Sequence, residues 1–301
     1  MKIRIIIILL TLICAVNFIF ADNSGGSTAG NVLLVIPYSS VNASGNSGVG
    51  LANAGWQFIG VNPAHISFIE KKTAGFAHNK YIESTSQQGF TYATKIKKLK
   101  VAGTITYFDY GDIRRTTYSV PSGNTDFSAN DYIFSLFVQG PENKIFHSGV
   151  ALKYLKEKID NYSASAAALD AGIIYTQPEN PFSAGLTIQN VGTKLKFESQ
   201  KEDLPLLVKI GAAYKIFGDI VTAHIDWQKI KGKNSDIQIG AEANIMKYCS
   251  LRVGYDSAND ASKGITMGFD LNLQNGLELN YSYIPYNDFD NSHKFTVSYS
   301  F

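Results

Sequence analysis

Residues suited to chemistry are thinly spread along this 301-residue chain. The five histidines are His65, His78, His147, His224 and His293. None lies in an H-E-x-x-H run or at another close ligand spacing that would place two imidazoles on one metal ion. Gly45-Asn46-Ser47-Gly48 approaches a nucleophile elbow, but it does not complete G-x-S-x-G and no strand-to-helix context follows. Gly48-Val49-Gly50 stops short of a dinucleotide fingerprint. Asn287-Asp288-Phe289-Asp290-Asn291 offers oxygen ligands without the full spacing of a calcium loop, and reads as a polar hairpin loop. Arg114-Arg115 reads as a solvated pair near a turn. The sequence therefore offers no catalytic residue, no metal site and no cofactor, and the chain is not expected to be an enzyme.

The elements that carry these residues are more informative. From His293 to Phe301, apolar side chains at Phe295, Val297, Tyr299 and Phe301 alternate with polar ones. That period of two belongs to a strand with one apolar and one polar face. An exposed half-apolar edge strand invites aggregation, whereas a closed membrane barrel leaves no edge. The aromatic end also resembles the signal by which outer-membrane barrels are handed to their assembly machinery. Phe295, Val297, Tyr299 and Phe301 are thus the expected assembly signal and the expected lipid-facing set.

Met1 to Ala21 reads as a secretory signal peptide, with Lys2 and Arg4 ahead of the apolar run Ile5 to Val16. No later apolar run approaches the roughly 20 residues of a membrane helix, so any membrane crossing is made by strands. Without residues 1–21 the chain carries 27 − 2 = 25 basic residues against 25 acidic ones. No basic stretch suggests nucleic acid. Cys249 is then the single cysteine, which excludes an internal disulfide.

Residues 22–72 are rich in Gly, Ala, Ser and Asn, and contain the apolar segment Leu33, Leu34, Val35 and Ile36 and the turn Asn62-Pro63-Ala64. They read as a leader or plug lying in the barrel lumen, with a loose leader as the alternative. From Thr73 to Phe301 strand-like runs of about ten residues recur between turn signals. Ile265, Met267, Phe269 and Leu271 alternate with polar or small residues, Asn275-Gly276 is a hairpin signal, and Leu277, Leu279, Tyr281 and Tyr283 follow. The pattern predicts an all-β fold, a transmembrane antiparallel barrel of about fourteen strands. Alternation does not say which face points outward, so a soluble β-protein remains the competing reading. The signal peptide and aromatic end favour the membrane.

The run from Leu152 to Ala166, together with Asn62-Pro63-Ala64, Asp109-Tyr110-Gly111-Asp112, Gln189-Asn190-Val191-Gly192, Lys194-Leu195-Lys196-Phe197 and the ending from Tyr281, resembles the PorV/PorQ family of outer-membrane barrels, including the group called UPF0164. The resemblance implies a barrel similar to the fatty-acid channel FadL, with about fourteen strands and an N-terminal portion in the lumen. It implies two roles. One is a channel or carrier for hydrophobic small molecules across the bacterial outer membrane, using a pocket covered by Leu33 to Ile36. The other is an accessory of type IX secretion that binds exported proteins on long connections near Asp112 to Asn130, Glu198 to Pro205 and Asp256 to Gly264. The expected partners are outer-membrane lipid, the barrel assembly machinery, and either a hydrophobic small molecule or an exported protein.

Overall fold

The computed structural model describes residues 28–80, 85–117, 120–198, 200–258, 264–287 and 290–301, with only the backbone for residues 117 and 120–125. The segment read as a signal peptide, residues 1–21, lies outside the described residues, as do Asp288 and Phe289 of the acidic loop.

Fourteen strands form one closed antiparallel barrel. In chain order they are β1 (Thr73–Lys80), β2 (Ser86–Ile96), β3 (Leu99–Thr117), β4 (Val120–Gln139), β5 (Phe146–Ile159), β6 (Tyr162–Thr176), β7 (Phe182–Gly192), β10 (Leu207–Ile216), β11 (Val221–Ile230), β12 (Ser235–Met246), β13 (Cys249–Asp256), β14 (Ile265–Asn272), β15 (Leu277–Ile284) and β16 (Ser292–Ser300). The connection from β7 to β10 carries a small ribbon, β8 (Leu195–Phe197) and β9 (Gln200–Glu202). The barrel closes where β1 pairs with β16, in the register Phe76↔Val297 and His78↔Phe295. Among the described residues no helix is long and apolar enough to cross a membrane. The crossing elements are strands.

Burial follows the sequence alternation with the sense expected of a membrane wall. On β16 Phe295, Val297, Tyr299 and Phe301 are exposed, while Lys294, Thr296 and Ser298 between them are buried. Leu152, Phe134, Ile239 and Val253 likewise face outward, whereas Lys153, Gln238, Arg252 and Asp270 face the lumen. A soluble barrel would reverse this order, because burying charge against apolar side chains costs several kcal/mol per unpaired group.

The two ends differ. At one end, among the described residues, no connection between barrel strands is longer than residues 140–145, and Lys97-Lys98 between β2 and β3 and Lys247-Tyr248 between β12 and β13 are two-residue turns. At the other end run the longer connections, including residues 193–206. One expected loop is not a loop. The connection read at Asp112 to Asn130 is strand throughout its described backbone, because β3 and β4 continue to pair from Asp112↔Ser128 to Thr117↔Val120, beyond the level at which β2 begins with Ser86 opposite Asp109. Its alternation is weak because polar residues dominate the sequence there, with Ile113 and Phe127 among few large apolar ones.

Candidate functional site: the filled lumen

Residues 28–72 run the height of the barrel interior. Thr28 bridges Asp203 at the long-loop end, and Lys72 delivers the chain into β1 at the short-turn end, where its carbonyl accepts from the Phe301 N–H. Between them lie a 3-10 turn (Asn31–Leu34), a short helix α1 (Ser39–Ala43), and two further 3-10 turns (Trp56–Gly60 and Pro63–Phe68). Small and amide residues suit this course. They let a folded-back chain fit between facing walls, and they leave its polar backbone to be satisfied by wall side chains.

Those side chains come from most of the circumference. Asp226 of β11 accepts from the N–H groups of Gly48 (2.7 Å) and Val49 (3.0 Å). Lys209 of β10 donates to the Asn46 carbonyl (3.1 Å) and to Gln238 of β12 (2.7 Å). Arg252 of β13 pairs with Asp270 of β14 and with Glu242 of β12 (2.9 Å), and lies 5.5 Å from the Phe58 ring centre. Asp270 also accepts from Ser40 of α1 (2.7 Å) and from Asn280 of β15 (2.8 Å). Lys294 of β16 donates to Asn42 (2.7 Å), and Thr296 accepts from the Ser39 N–H (3.0 Å). Beside Lys294, Asn79 of β1 donates to the Pro37 carbonyl (2.8 Å), and further round the wall Gln189 of β7 donates to that of Val61 (2.9 Å) and Lys100 of β3 to Glu70 (2.7 Å). Buried polar groups are retained where each has a partner, and here the partners are divided between wall and plug.

The Asn62-Pro63 turn read from the sequence is a wall contact. Asn62 caps its 3-10 turn by accepting from Ala64 N (3.0 Å), and donates to the Val49 carbonyl (2.9 Å). Its carboxamide and Pro63 press on Gly172 of β6 and Gly149 of β5, which face each other in register; a methyl group on either would overlap them. The Leu33 to Ile36 segment divides. Leu33 is buried with Val32 in an apolar cluster formed with Phe108, Ile133, Leu155, Leu195 and Leu204, whereas Leu34, Val35 and Ile36 are half-buried. Val35 and Ile36 border a void of about 50 Å³, and Leu34 and Ile36 a polar-walled cavity of about 200 Å³ beside Lys209 and Gln238.

Two titratable plug groups are perturbed by burial. His65 is fully buried, donates through Nε2 to the Gly48 carbonyl (3.0 Å), and has no hydrogen bond at Nδ1 among the described residues. Desolvation pulls its pKa down to about 4, so it is neutral at pH 7. The Tyr38 hydroxyl, bonded to Thr91, is pushed up by the same burial.

The lumenal charges Lys209, Asp226, Arg252, Asp270 and Lys294 were not singled out from sequence. A charged residue at the centre of a strand, on the polar side of the alternation, is the signal that would have found them. His224, one of the isolated histidines, meets Ser47 of the glycine-flanked motif at 3.0 Å. Both are buried in the packed lumen.

Solved structures share this architecture. The chain is similar to the toluene transporter TodX of Pseudomonas putida (TM-score 0.61, 11% identity, 88% of this chain and 98% of that one). It is also similar to the toluene transporter TbuX of Ralstonia pickettii (TM-score 0.61, 10% identity, 93% and 99%). A FadL homologue of Pseudomonas aeruginosa aligns with TM-score 0.56 at 11% identity over 87% of this chain and 97% of that one. At these identities the likeness concerns the fold. No curated protein matches the chain in sequence. The model of the type IX secretion system membrane protein PorP/SprF matches residues 143–299, just over half of the chain. The resemblance read from the sequence was to PorV/PorQ; the matching model is PorP/SprF, and the FadL-like barrel is common to both readings. The chain belongs to the PorP/SprF family of type IX secretion system membrane proteins, built on a FadL-like outer-membrane barrel.

Proposed function

We propose that this protein is a plugged, non-conducting barrel that serves a type IX secretion system as a protein-binding component in the outer membrane. The short-turn end faces the periplasm and the long-loop end the exterior, following the usual asymmetry of such barrels. The observation that carries the reading is the division of the lumenal network between wall and plug. Asp226, Lys209, Arg252, Lys294, Asn79, Gln189 and Lys100 all bond or pack against residues 35–72, and the spaces beside Leu33 to Ile36 are only about 50 and 200 Å³. A passive solute path would require many of these bonds to open at once. The test is a deletion strain assayed for type IX cargo in the medium. Cargo should be retained in the cells and return to the medium on complementation; wild-type secretion without the protein would overturn the proposal. Purified protein in a planar bilayer should give no steady conductance.

One observation favours a second reading, a carrier of hydrophobic small molecules. Val32 and Leu33 are apolar side chains seated in an apolar chamber at the long-loop end, and withdrawal of that turn would leave a pocket of the kind such ligands occupy. Mass spectrometry of detergent-purified protein tests it. A stoichiometric apolar ligand lost on Val35→Asp would support the carrier, and an empty lumen would end it.

A further inference from the structure

We propose that the short-turn rim around β1 and the β2–β3 hairpin is a docking surface for an acidic segment of a periplasmic protein. The proposal rests on the secretion reading for the compartment and the kind of partner. Lys71, Lys72, Lys95, Lys97 and Lys98 are all exposed there. The register gathers them. Thr73 pairs with Ala93, so the chain entering β1 lies beside Lys95, and Lys97-Lys98 forms the adjoining turn. Glu70, the carboxylate next to Lys71 and Lys72 in the chain, is already taken by Lys100 at 2.7 Å, which holds its carboxyl below the usual range. Among the described residues no ion pair engages any of the five lysines. The chain without residues 1–21 balances 25 basic against 25 acidic residues, so this concentration is a segregation of charge rather than a general excess.

Lipid phosphate is the competing occupant, and the wall argues against it for part of the set. Ile96 and Leu99 are exposed on the outer face, so the adjoining Lys97 and Lys98 can reach headgroups. Lys95 lies on the inward row of β2 with Thr91 and Ala93, and pairs in register with Lys100, whose side chain reaches Ser67 and Glu70 of the plug. Its field acts on Glu70 over the barrel mouth. A headgroup outside the wall does not span from Lys97-Lys98 to Lys95; an acidic protein segment laid across the rim does. Complementary charge of this kind sets on-rate and partner choice and weakens with salt.

The test uses the full chain in phosphatidylcholine nanodiscs and a fluorescent poly-glutamate peptide as probe. The variant carries Lys71→Gln, Lys72→Gln, Lys95→Gln, Lys97→Gln and Lys98→Gln. The control carries Lys194→Gln, Lys196→Gln and Lys201→Gln at the opposite mouth. Folding of each is confirmed by heat-modifiable mobility. The five-site variant should bind the peptide about tenfold more weakly or worse, the control should match the parent, and rising salt should erase the difference. Equal binding by the five-site variant overturns the proposal. So does loss of peptide binding by the parent when phosphatidylglycerol is added, because the lysines then belong to lipid. In the deletion strain, full restoration of secretion by the five-site variant removes the docking surface and leaves the secretion role standing. Secretion that never depended on the protein removes that role while the binding result remains.

Discussion

Arg252→Met should destabilise the folded barrel by about 3 kcal/mol. The guanidinium is nearly enclosed, with a side-chain exposure of 7%, and two carboxylates depend on it, Asp270 and Glu242 at 2.9 Å. Removing one member of a buried ion pair leaves an uncompensated charge and costs roughly 3–5 kcal/mol. The lower end applies because Asp270 keeps donors from Ser40 (2.7 Å) and Asn280 (2.8 Å), and Glu242 is 20% exposed. A loss of about 3 kcal/mol is roughly a hundredfold in the folding equilibrium. Urea unfolding in lipid vesicles, followed by the fluorescence of Trp56 in the plug and Trp227 in the wall, reads both compartments. Asp270→Asn supplies the control. If the cost is stranded charge, the double variant should be less damaged than the sum of the singles by about 1–3 kcal/mol. An Arg252→Met protein within about 0.5 kcal/mol of the parent, or strict additivity in the cycle, would refute the reasoning.

Val297→Arg places a cation on the outer face of β16 and should cost about 2–4 kcal/mol if the site lies near the bilayer midplane, measured by the same unfolding assay. Deleting Phe301 should lower barrel yield in the outer membrane while leaving correctly folded molecules normal; unchanged yield in membrane fractions removes its role in assembly. The depressed pKa of His65 gives a signed pH effect. Its stabilisation is whole above pH 6.5 and is lost as pH falls toward about 4, because the unfolded chain then takes up a proton that the native plug refuses. The integrated loss is about 3 kcal/mol at 1.36 kcal/mol per unit, and His65→Gln should flatten that part of the urea midpoint against pH.

How far the sequence disclosed this molecule depends on which face of the strand is asked about. Outward rows such as Phe295-Val297-Tyr299 and Val150-Leu152-Tyr154 repeat one character over many residues, so both strand and period were legible. β1 was barely so, because its outward row reads Ala74, Phe76, His78 and Lys80, too mixed to define a face. The lumenal network was less legible again. Asp226 and Gly48 are separated by 178 residues, and nothing local to either says that one caps the other. Composition and the resemblance pointed residues 22–72 toward the lumen, but the different duties of Leu33 and Asn62, one filling an apolar chamber and the other pressed on paired wall glycines, are set by wall partners distant in sequence.

The path of residues 28–72 from one mouth to the other bears on the order in which the molecule is made. A wall that closed first would have to be threaded, with Asp226, Arg252 and Lys294 left without their plug contacts until residues 28–72 entered. The seam avoids this. β16 presents Lys294 and Thr296 to Asn42 and Ser39, and β1 presents Asn79 to Pro37, so the last two strands to meet are themselves plug-binding strands. A plug already in place would hold β1 and β16 in the one register that satisfies it. Residues 28–72 are, on this account, an internal template for closure before they are an obstruction in the finished barrel.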